Sequence, residues 1–256
     1  MEVLVTGGTG WFGRPAVRLL VERGHRARVV TRRERPDLPK GATAARVDLE
    51  AGTGLEQAAA GAELVLHAAS DPRTRRGAVD VGMTRRVVDA ARAAGARRLL
   101  YVSIVGIDRI PFSYYRHKLE CERVLEASGL PHTIVRATQF HELAEWGLRK
   151  FERLPLAPLP LDWRFQLIAA TDAAREAVDL LEHPPDQPLV ERGGPEVLTV
   201  RELAEVWRAK RGRPRRVVGV RYPGGLSRGF REGRNTVPEH AVEGQRWRDF
   251  VAALRD

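Results

Sequence analysis

Tyr114 and Lys118 stand four residues apart in the segment SYYRHK, and on a helix that spacing puts both side chains on one face. A free phenol is a weak acid at neutral pH, but a neighbouring ammonium stabilises the phenolate and lowers its pKa. A tyrosine so placed can give a proton to a carbonyl oxygen or take one back. Tyr115 lacks that help, because Leu119 occupies its fourth position onward. Ser103 is a candidate to hydrogen-bond the same oxygen. Cys121 reads as a core residue and His117 as a surface one.

The second chemical feature is GGTGWFG, where Gly7, Gly10 and Gly13 recur every third residue and Gly8, Gly10 and Gly13 match G-x-G-x-x-G. Between a strand and a helix, such glycines allow a tight turn and bring bare N–H groups to a diphosphate at the positive end of the helix. Gly7, Thr9, Gly10, Trp11, Phe12 and Gly13 are therefore expected to bind a dinucleotide. Some 20 residues on, where NAD-binding chains carry an acid for the ribose 2′-hydroxyl, the sequence has Thr31, Arg32 and Arg33. Two guanidinium groups there suit a 2′-phosphate, so NADP is expected, with NADPH preferred over NADH. Asp48 is a candidate for the adenine amino group. His67-Ala68-Ala69-Ser70 ends a strand where open parallel sheets bind ligands, and the small Ala68, Ala69 and Ser70 allow close approach.

These residues need a scaffold of alternating strands and helices, and the hydrophobic pattern supplies one. Strands are expected at Val3–Thr6, Ala27–Thr31, Ala44–Val47, Glu63–His67, Arg98–Ser103 and His132–Arg136. Helices are expected at Phe12–Arg23, with Phe12, Val17, Leu20 and Val21 inward, at about Val79–Ala94, and at Ser113–Ser128. Continuously apolar strands joined by helices imply an α/β fold, a Rossmann-type doubly wound parallel sheet. Beyond residue 150 the run LPLAPLPLDW (Leu154–Trp163) holds three prolines and is expected to be an extended loop. After it come a strand at Phe165–Ala169, a helix from Asp172 to Glu182, a strand near Leu189, a helix at Thr199–Arg211 opened by the capping box Thr199/Glu202, and a last helix over Val242–Leu254. The organisation expected is a dinucleotide-binding domain over 1–150 and a smaller C-terminal substrate-binding region over 151–256 packed on it. Phe140, Trp146 and the proline-rich run would wall an apolar pocket, or alternatively fill an interdomain seam.

GGTGWFG, Ser103, Tyr114-x-x-x-Lys118 and HTIVRATQF together resemble the atypical short-chain dehydrogenase/reductases, and most closely their NmrA-like NAD(P)H-binding group. The later GGPEVLTVREL segment fits the same resemblance, which covers nearly the whole chain. It implies that Gly7, Gly10 and Gly13 hold the pyrophosphate, Arg32 the 2′-phosphate, and Tyr114 with Lys118 the nicotinamide ribose and the substrate. Ala137 to Phe140 would face the nicotinamide. A separation of eleven positions from Ser103 to Tyr114 is slightly shorter than the spacing usual in that class, which weakens Ser103 more than Tyr114. Three functions are compatible with this pattern. The first is a reductase of a small, mostly apolar carbonyl, enone or quinone; the second is a dinucleotide-binding redox sensor without turnover. The third is a sugar-nucleotide epimerase or dehydratase, against which Arg32 argues.

Composition narrows the classes further. The 256-residue chain is 43% hydrophobic and 30% charged, with a formal net charge of +10. Nearly all its basic residues are arginines spread among acids, which reads as a solvated cationic surface rather than a nucleic-acid site. The densest patch, Arg208–Arg216, is expected at a helix end and turn. One cysteine cannot form an internal disulfide, and the chain opens directly into an apolar strand without a signal-peptide pattern, so a cytoplasmic protein is expected. No apolar run is long enough for a membrane helix, and no metal is expected.

Overall fold

The structure is a computed structural model and describes residues 1–71, 78–152, 154–213 and 216–255. Two compact units interleave along the chain: Met1–Ser103 with Ser113–Arg136 and Ala173–Val190, and Ile104–Phe112 with Ala137–Asp172 and Glu191–Asp256.

A seven-stranded sheet organises the first unit. Its strands are β1 (Glu2–Thr6), β2 (Arg26–Thr31), β3 (Thr43–Arg46), β4 (Leu64–His67), β5 (Arg98–Ile104), β6 (His132–Ala137) and the later β9 (Leu189–Arg192). They run in the order β3-β2-β1-β4-β5-β6-β9. β1 pairs in parallel with β2 on one side and β4 on the other, and β2–β3 and β4–β5 are parallel too. The direction of winding thus reverses between β1 and β4. The crevice beyond the C-terminal ends of these two strands is where a doubly wound sheet takes its ligand. This is the Rossmann-type sheet that the periodicity predicts.

Apolar strands demand cover on both faces. α1 (Gly13–Glu22) turns Ala16, Val17 and Leu20 inward; Phe12 is buried as expected, Val21 only half-buried. On the face holding Leu4, Val65, Leu99 and Ile134 lie the short α2 (Leu55–Ala59), α3 (Ala78–Ala93) and α4 (Ser113–Glu126). Cys121 is a buried free thiol in this core, as its sequence context suggests.

α4 is tied down by an ion pair. Glu122, 1% exposed, receives the Arg136 guanidinium from β6 through Nε at 3.0 Å and Nη2 at 2.7 Å, and the Ser103 hydroxyl from β5 at 2.5 Å. The carboxylate therefore meets several donors inside the core, which is what makes a buried charge tolerable. It also fixes the rotation of the helix that carries Tyr114 and Lys118.

The second unit packs around tryptophans. Trp207 of α7 (Val200–Arg211) and Trp247 of α9 (Trp247–Ala253) are fully buried with ring centroids 6.4 Å apart, surrounded by Leu148, Leu159, Leu167 and Leu203. The capping box forms as the sequence predicts, with Thr199 Oγ1 accepting from the Glu202 N–H and Glu202 accepting from the Thr199 N–H. Gly194 has no room for a side chain, since a Cβ there would overlap the Leu167 carbonyl.

Several expectations for this unit need correction. The proline-rich run is not simply a loop: Leu156–Leu159 is a strand, β7, paired in parallel with β11 (Arg216–Gly219). A two-stranded edge pairing tolerates Pro158, which lacks an N–H. The strand expected at Phe165–Ala169 is only β8 (Arg164–Phe165), paired with β10 (Leu198–Thr199). After it the Gln166 side chain turns aside to bond the Gly194 carbonyl and the Val237 N–H. The last helix begins at Trp247 rather than Val242. Its lead-in is held extended by bonds from the Val242 N–H to Gly193, the Gln245 N–H to Asp172 and the Trp247 N–H to Glu196. α6 (Ala170–Glu182) agrees with expectation, whereas α5 (His141–Glu152) and α8 (Gly225–Arg231) are not among the elements expected from the pattern. The basic stretch Arg208–Arg216 closes α7 at Gly212 and leads into β11; its residues 214–215 lie outside the described residues. Among the described residues no helix is long and apolar enough to cross a membrane.

The buried pair makes a thermodynamic prediction. Glu122→Gln leaves the Arg136 charge uncompensated and should lower unfolding free energy by about 3–5 kcal/mol in urea titrations. The double change Glu122→Leu with Arg136→Met should recover a large part of that loss. Equal losses in the single and double variants would exclude a coupled pair.

Candidate functional site

The turn after β1 is shaped by what cannot fit in it. Gly7 has φ +72°, and a Cβ there would stand 2.6 Å from the Ala68 carbonyl carbon, so the ends of β1 and β4 touch backbone to backbone. A Cβ on Gly13 would overlap the Gly7 carbonyl oxygen, and one on Gly8 would stand 2.7 Å from Val29 Cγ1. Gly10 differs, because a Cβ there would meet only the Gly7 carbonyl oxygen at 3.3 Å. Three glycines serve the protein's own packing, while the fourth leaves an exposed, bare stretch of backbone. No side chain caps the N-terminus of α1 and no acid lies in its first turn. Open donors, a positive helix end and a missing Cβ fit a diphosphate. Thr9 is half-buried, Trp11 is 52% exposed, and Phe12 is buried at the N-cap position.

Arg32 and Arg33 leave the end of β2 as exposed side chains; among the described residues neither guanidinium has a partner. Glu34, the first carboxylate after them, faces Arg46 at 3.2 Å. Asp48 spends Oδ1 on its own loop, accepting from the Glu50 and Ala51 N–H groups at 2.9 and 3.2 Å.

Beneath the turn lies a buried polar cluster. His67 is fully enclosed between two threonines, with Nδ1 2.6 Å from Thr6 Oγ1 and Nε2 3.0 Å from Thr84 Oγ1. Burial, aided by the nearby Lys118 charge, lowers its pKa to about 3, so the ring is neutral and works as a hydrogen-bonded strut. Thr6 Oγ1 also accepts from the Ala69 N–H at 3.2 Å, which fixes the path of Ala68, Ala69 and Ser70 past Gly7.

Ser70 is where Tyr114 meets a buried carboxylate. Its hydroxyl donates to Asp80 Oδ2 at 2.6 Å and lies 2.7 Å from the Tyr114 hydroxyl. Asp80, 1% exposed on α3, also accepts from the Asp71 N–H at 2.8 Å. A serine hydroxyl has one proton; with that proton on the carboxylate, the phenol must be the donor to Ser70.

Lys118 goes elsewhere than expected. Buried at 3% exposure, its ammonium donates to the Val102 carbonyl at 2.9 Å and sits 4.1 Å from the Tyr101 ring centroid. The shared helix face is real, but the lysine bends inward to the end of β5. Tyr114 is accordingly not made more acidic. Burial raises its pKa well above the ordinary value, the Ser70 bond lowers it, and the Asp80 charge raises it further. Ser103 is also displaced from the role expected of it. It is buried and donates to Glu122, because its side chain leaves β5 toward the inner face of α4. Ala137 belongs to the second unit, buried at the end of β6, with its carbonyl bonded to the Val105 N–H.

The residues that sequence reasoning missed are Asp80, Thr6 and Thr84. The signal for Asp80 was a carboxylate in helical register with Met83, Thr84 and Val87, an apolar face where an acid needs a partner.

A family model described as NAD(P)H-binding matches residues 7–184. An uncharacterised protein of Mycobacterium tuberculosis is 30% identical over 224 residues, covering 86% of this chain and 24% of that one. The chain thus spans about a quarter of the length of that relative. Ceramide reductase of Caulobacter vibrioides is 31% identical over 198 residues, 71% of this chain and 61% of the relative. Among solved structures, an NADPH-dependent quinone oxidoreductase of Escherichia coli in complex with NADPH superposes with a TM-score of 0.78 over 98% of each chain at 18% identity, a likeness of fold.

The glycine geometry separates two kinds of variant. Gly13→Ala should unfold the turn and lower the melting temperature by several degrees. Gly10→Ala should leave the melting temperature within about two degrees but weaken dinucleotide binding at least tenfold, as read by calorimetry. An unaltered affinity in Gly10→Ala would remove this backbone from the phosphate site.

Proposed function

We propose that this chain, which belongs to the NAD(P)H-binding family within the atypical short-chain dehydrogenase/reductases, is an NADPH-dependent reductase of a small, mostly apolar carbonyl, enone or quinone. One observation carries the reading: the Tyr114 hydroxyl stands at the end of β4, hydrogen-bonded to Ser70, on the strand whose backbone abuts the glycine turn. The dinucleotide, once bound, supplies the hydride. The glycine turn and the first turn of α1 hold its diphosphate, and the half-buried Ala68 and Ala69 leave space beside it. Tyr114 gives the proton to the substrate oxygen. Lys118 and Ser103 act behind it: the lysine braces Tyr101 and the end of β5, and the serine helps anchor α4 through Glu122. Asp48 and Ala137 stay in the proposal as contacts of the dinucleotide.

NADPH is preferred because Arg32 and Arg33 are exposed cations that pair with no carboxylate among the described residues, and a guanidinium fits a phosphate through paired hydrogen bonds. The names of two similar proteins, ceramide reductase and quinone oxidoreductase 2, agree with an apolar acceptor. Choice of substrate is assigned to the C-terminal region over 151–256. The cytoplasm is the proposed compartment, and the free Cys121 thiol fits reducing conditions.

A second reading has one observation in its favour. The raised Tyr114 pKa and inward Lys118 suit a protein that binds the dinucleotide and reports its redox state without turnover. It predicts unequal affinities for the oxidised and reduced forms and no reduction of any acceptor.

NADPH oxidation at 340 nm across quinones, aldehydes and enones decides between them. Turnover is expected, and Tyr114→Phe should reduce kcat by at least a hundredfold with KM for NADPH unchanged. Undiminished turnover in that variant would take Tyr114 out of the chemistry. Arg32→Ala should weaken NADPH binding about tenfold or more and leave NADH unaffected; parallel losses for both would refute the 2′-phosphate assignment.

A further inference from the structure

Resting on the reductase reading, we propose that Asp80 is the proton reservoir of the reaction, passing its proton through Ser70 to Tyr114. The geometry allows one direction of donation when Asp80 is ionised: Tyr114 to Ser70, and Ser70 to Asp80. In that state the phenolic proton points at Ser70, and the outward lone pairs of Tyr114 can only accept. With a proton on Asp80 the chain runs the other way, from the acid to Ser70, from Ser70 to Tyr114, and from Tyr114 outward to a substrate oxygen.

The step balances. In reduction, the carbonyl carbon gains a hydride from the reduced nicotinamide and the carbonyl oxygen gains the Tyr114 proton. Tyr114 takes the Ser70 proton, Ser70 takes the Asp80 proton, and Asp80 is left as a carboxylate. Water recharges it through Ser70, which is exposed, while the carboxylate itself is 1% exposed. Oxidation of an alcohol runs the same chain backward and leaves the proton on Asp80. The chain also avoids a costly intermediate. A free phenolate at Tyr114 would be poorly solvated, and Lys118, the cation on the same helix, is turned toward Val102 and Tyr101. A concerted shift keeps the tyrosine neutral throughout.

Among the described residues, the other ionisable groups near Tyr114 each have their own place in the structure. On α4, Tyr115 and Cys121 are buried, and Lys118 is an ammonium that accepts no hydrogen bond. His67 on β4 is neutral and bonded to two threonines. Tyr101 on β5 lies under the lysine, and Asp71 meets Asp80 through its backbone N–H. Through Ser70, the Asp80 carboxylate is joined to the phenol by a hydrogen-bonded path.

The sign of the pH dependence follows. Reduction draws its proton through the Asp80–Ser70–Tyr114 chain, so the wild-type kcat should rise as pH falls. Asp80→Asn keeps the shape of the side chain but cannot supply a proton, so kcat should drop at least tenfold and that acidic limb should flatten, with NADPH affinity unchanged. Ser70→Ala, an exposed position, should break the same chain and give the same flattening. A readout free of turnover uses Cζ-labelled tyrosine, with the Tyr114 resonance assigned by its loss in Tyr114→Phe. Its shift should track a titration in the wild type that is missing in both variants. A wild-type pH profile retained by Asp80→Asn, or a Tyr114 resonance that titrates identically in all three proteins, overturns the relay. If no acceptor is ever reduced, the reductase reading fails by itself, and the resonance still decides whether Asp80 and Tyr114 exchange a proton through Ser70.

Discussion

The meeting of Gly7 and Ala68, backbone against backbone, is the constraint on which the rest of this structure hangs. Two parallel strands leave the sheet at the point where its winding reverses, and their continuations must separate to opposite faces within a few residues. The separation is possible because β1 turns away through a glycine at φ +72° whose missing Cβ leaves space for the neighbouring peptide. The candidate site then follows within a few residues of that contact: on one side the bare turn and the start of α1 at Gly13, on the other Ala69 and Ser70.

Close backbone contact alone would leave the end of β4 free to shift. The Thr6–His67–Thr84 bridge prevents this by spending a whole imidazole on structure. A charged ring here would face the nearby Lys118 ammonium inside the core, and burial holds the ring neutral instead, with its pKa near 3. The neutral form supplies one donor and one acceptor, which is what two hydroxyl partners can satisfy. Lys118 in turn finds a carbonyl and an aromatic face in place of an anion. The cluster is therefore rich in polar atoms and poor in unpaired charge, a combination that stiffens a site at modest cost.

How much of this was legible in the sequence depends on the range of the interaction. Strand and helix periodicity is local, and the strands of the first unit appear at their expected places within a residue or so. So do the glycine turn and the capping box of α7, whose chemistry is set by neighbours three residues away. The second unit is less legible because its elements answer to distant groups. Gln166 leaves strand geometry for Gly194 and Val237, and the chain before Trp247 is held extended by Asp172, Glu196 and Gly193. α5 hid between an apolar strand and a proline-rich run, although Ala144, Leu148 and Phe151 follow a helical stripe and Glu145 and Arg149 pair across one turn.

The same distinction explains where the side chains of Lys118 and Ser103 go. Spacing four residues apart fixes a common helix face but not which way two long side chains bend, and Lys118 is drawn toward the carbonyl end of β5 instead of toward the phenol. Ser103 lies on β5 at a position whose side chain faces α4, where a buried glutamate with an arginine partner claims its proton. A hydroxyl committed to that ion pair would have to break it to reach a substrate. The hydroxyl that does meet Tyr114 comes from the loop after the next strand over, 44 residues earlier in sequence. A serine, an acid and a tyrosine drawn from a loop and two helices have no spacing for a motif to record. What could betray them in a single sequence is an acid placed on the apolar face of α3, whose burial makes sense only if other side chains arrive to share its charge.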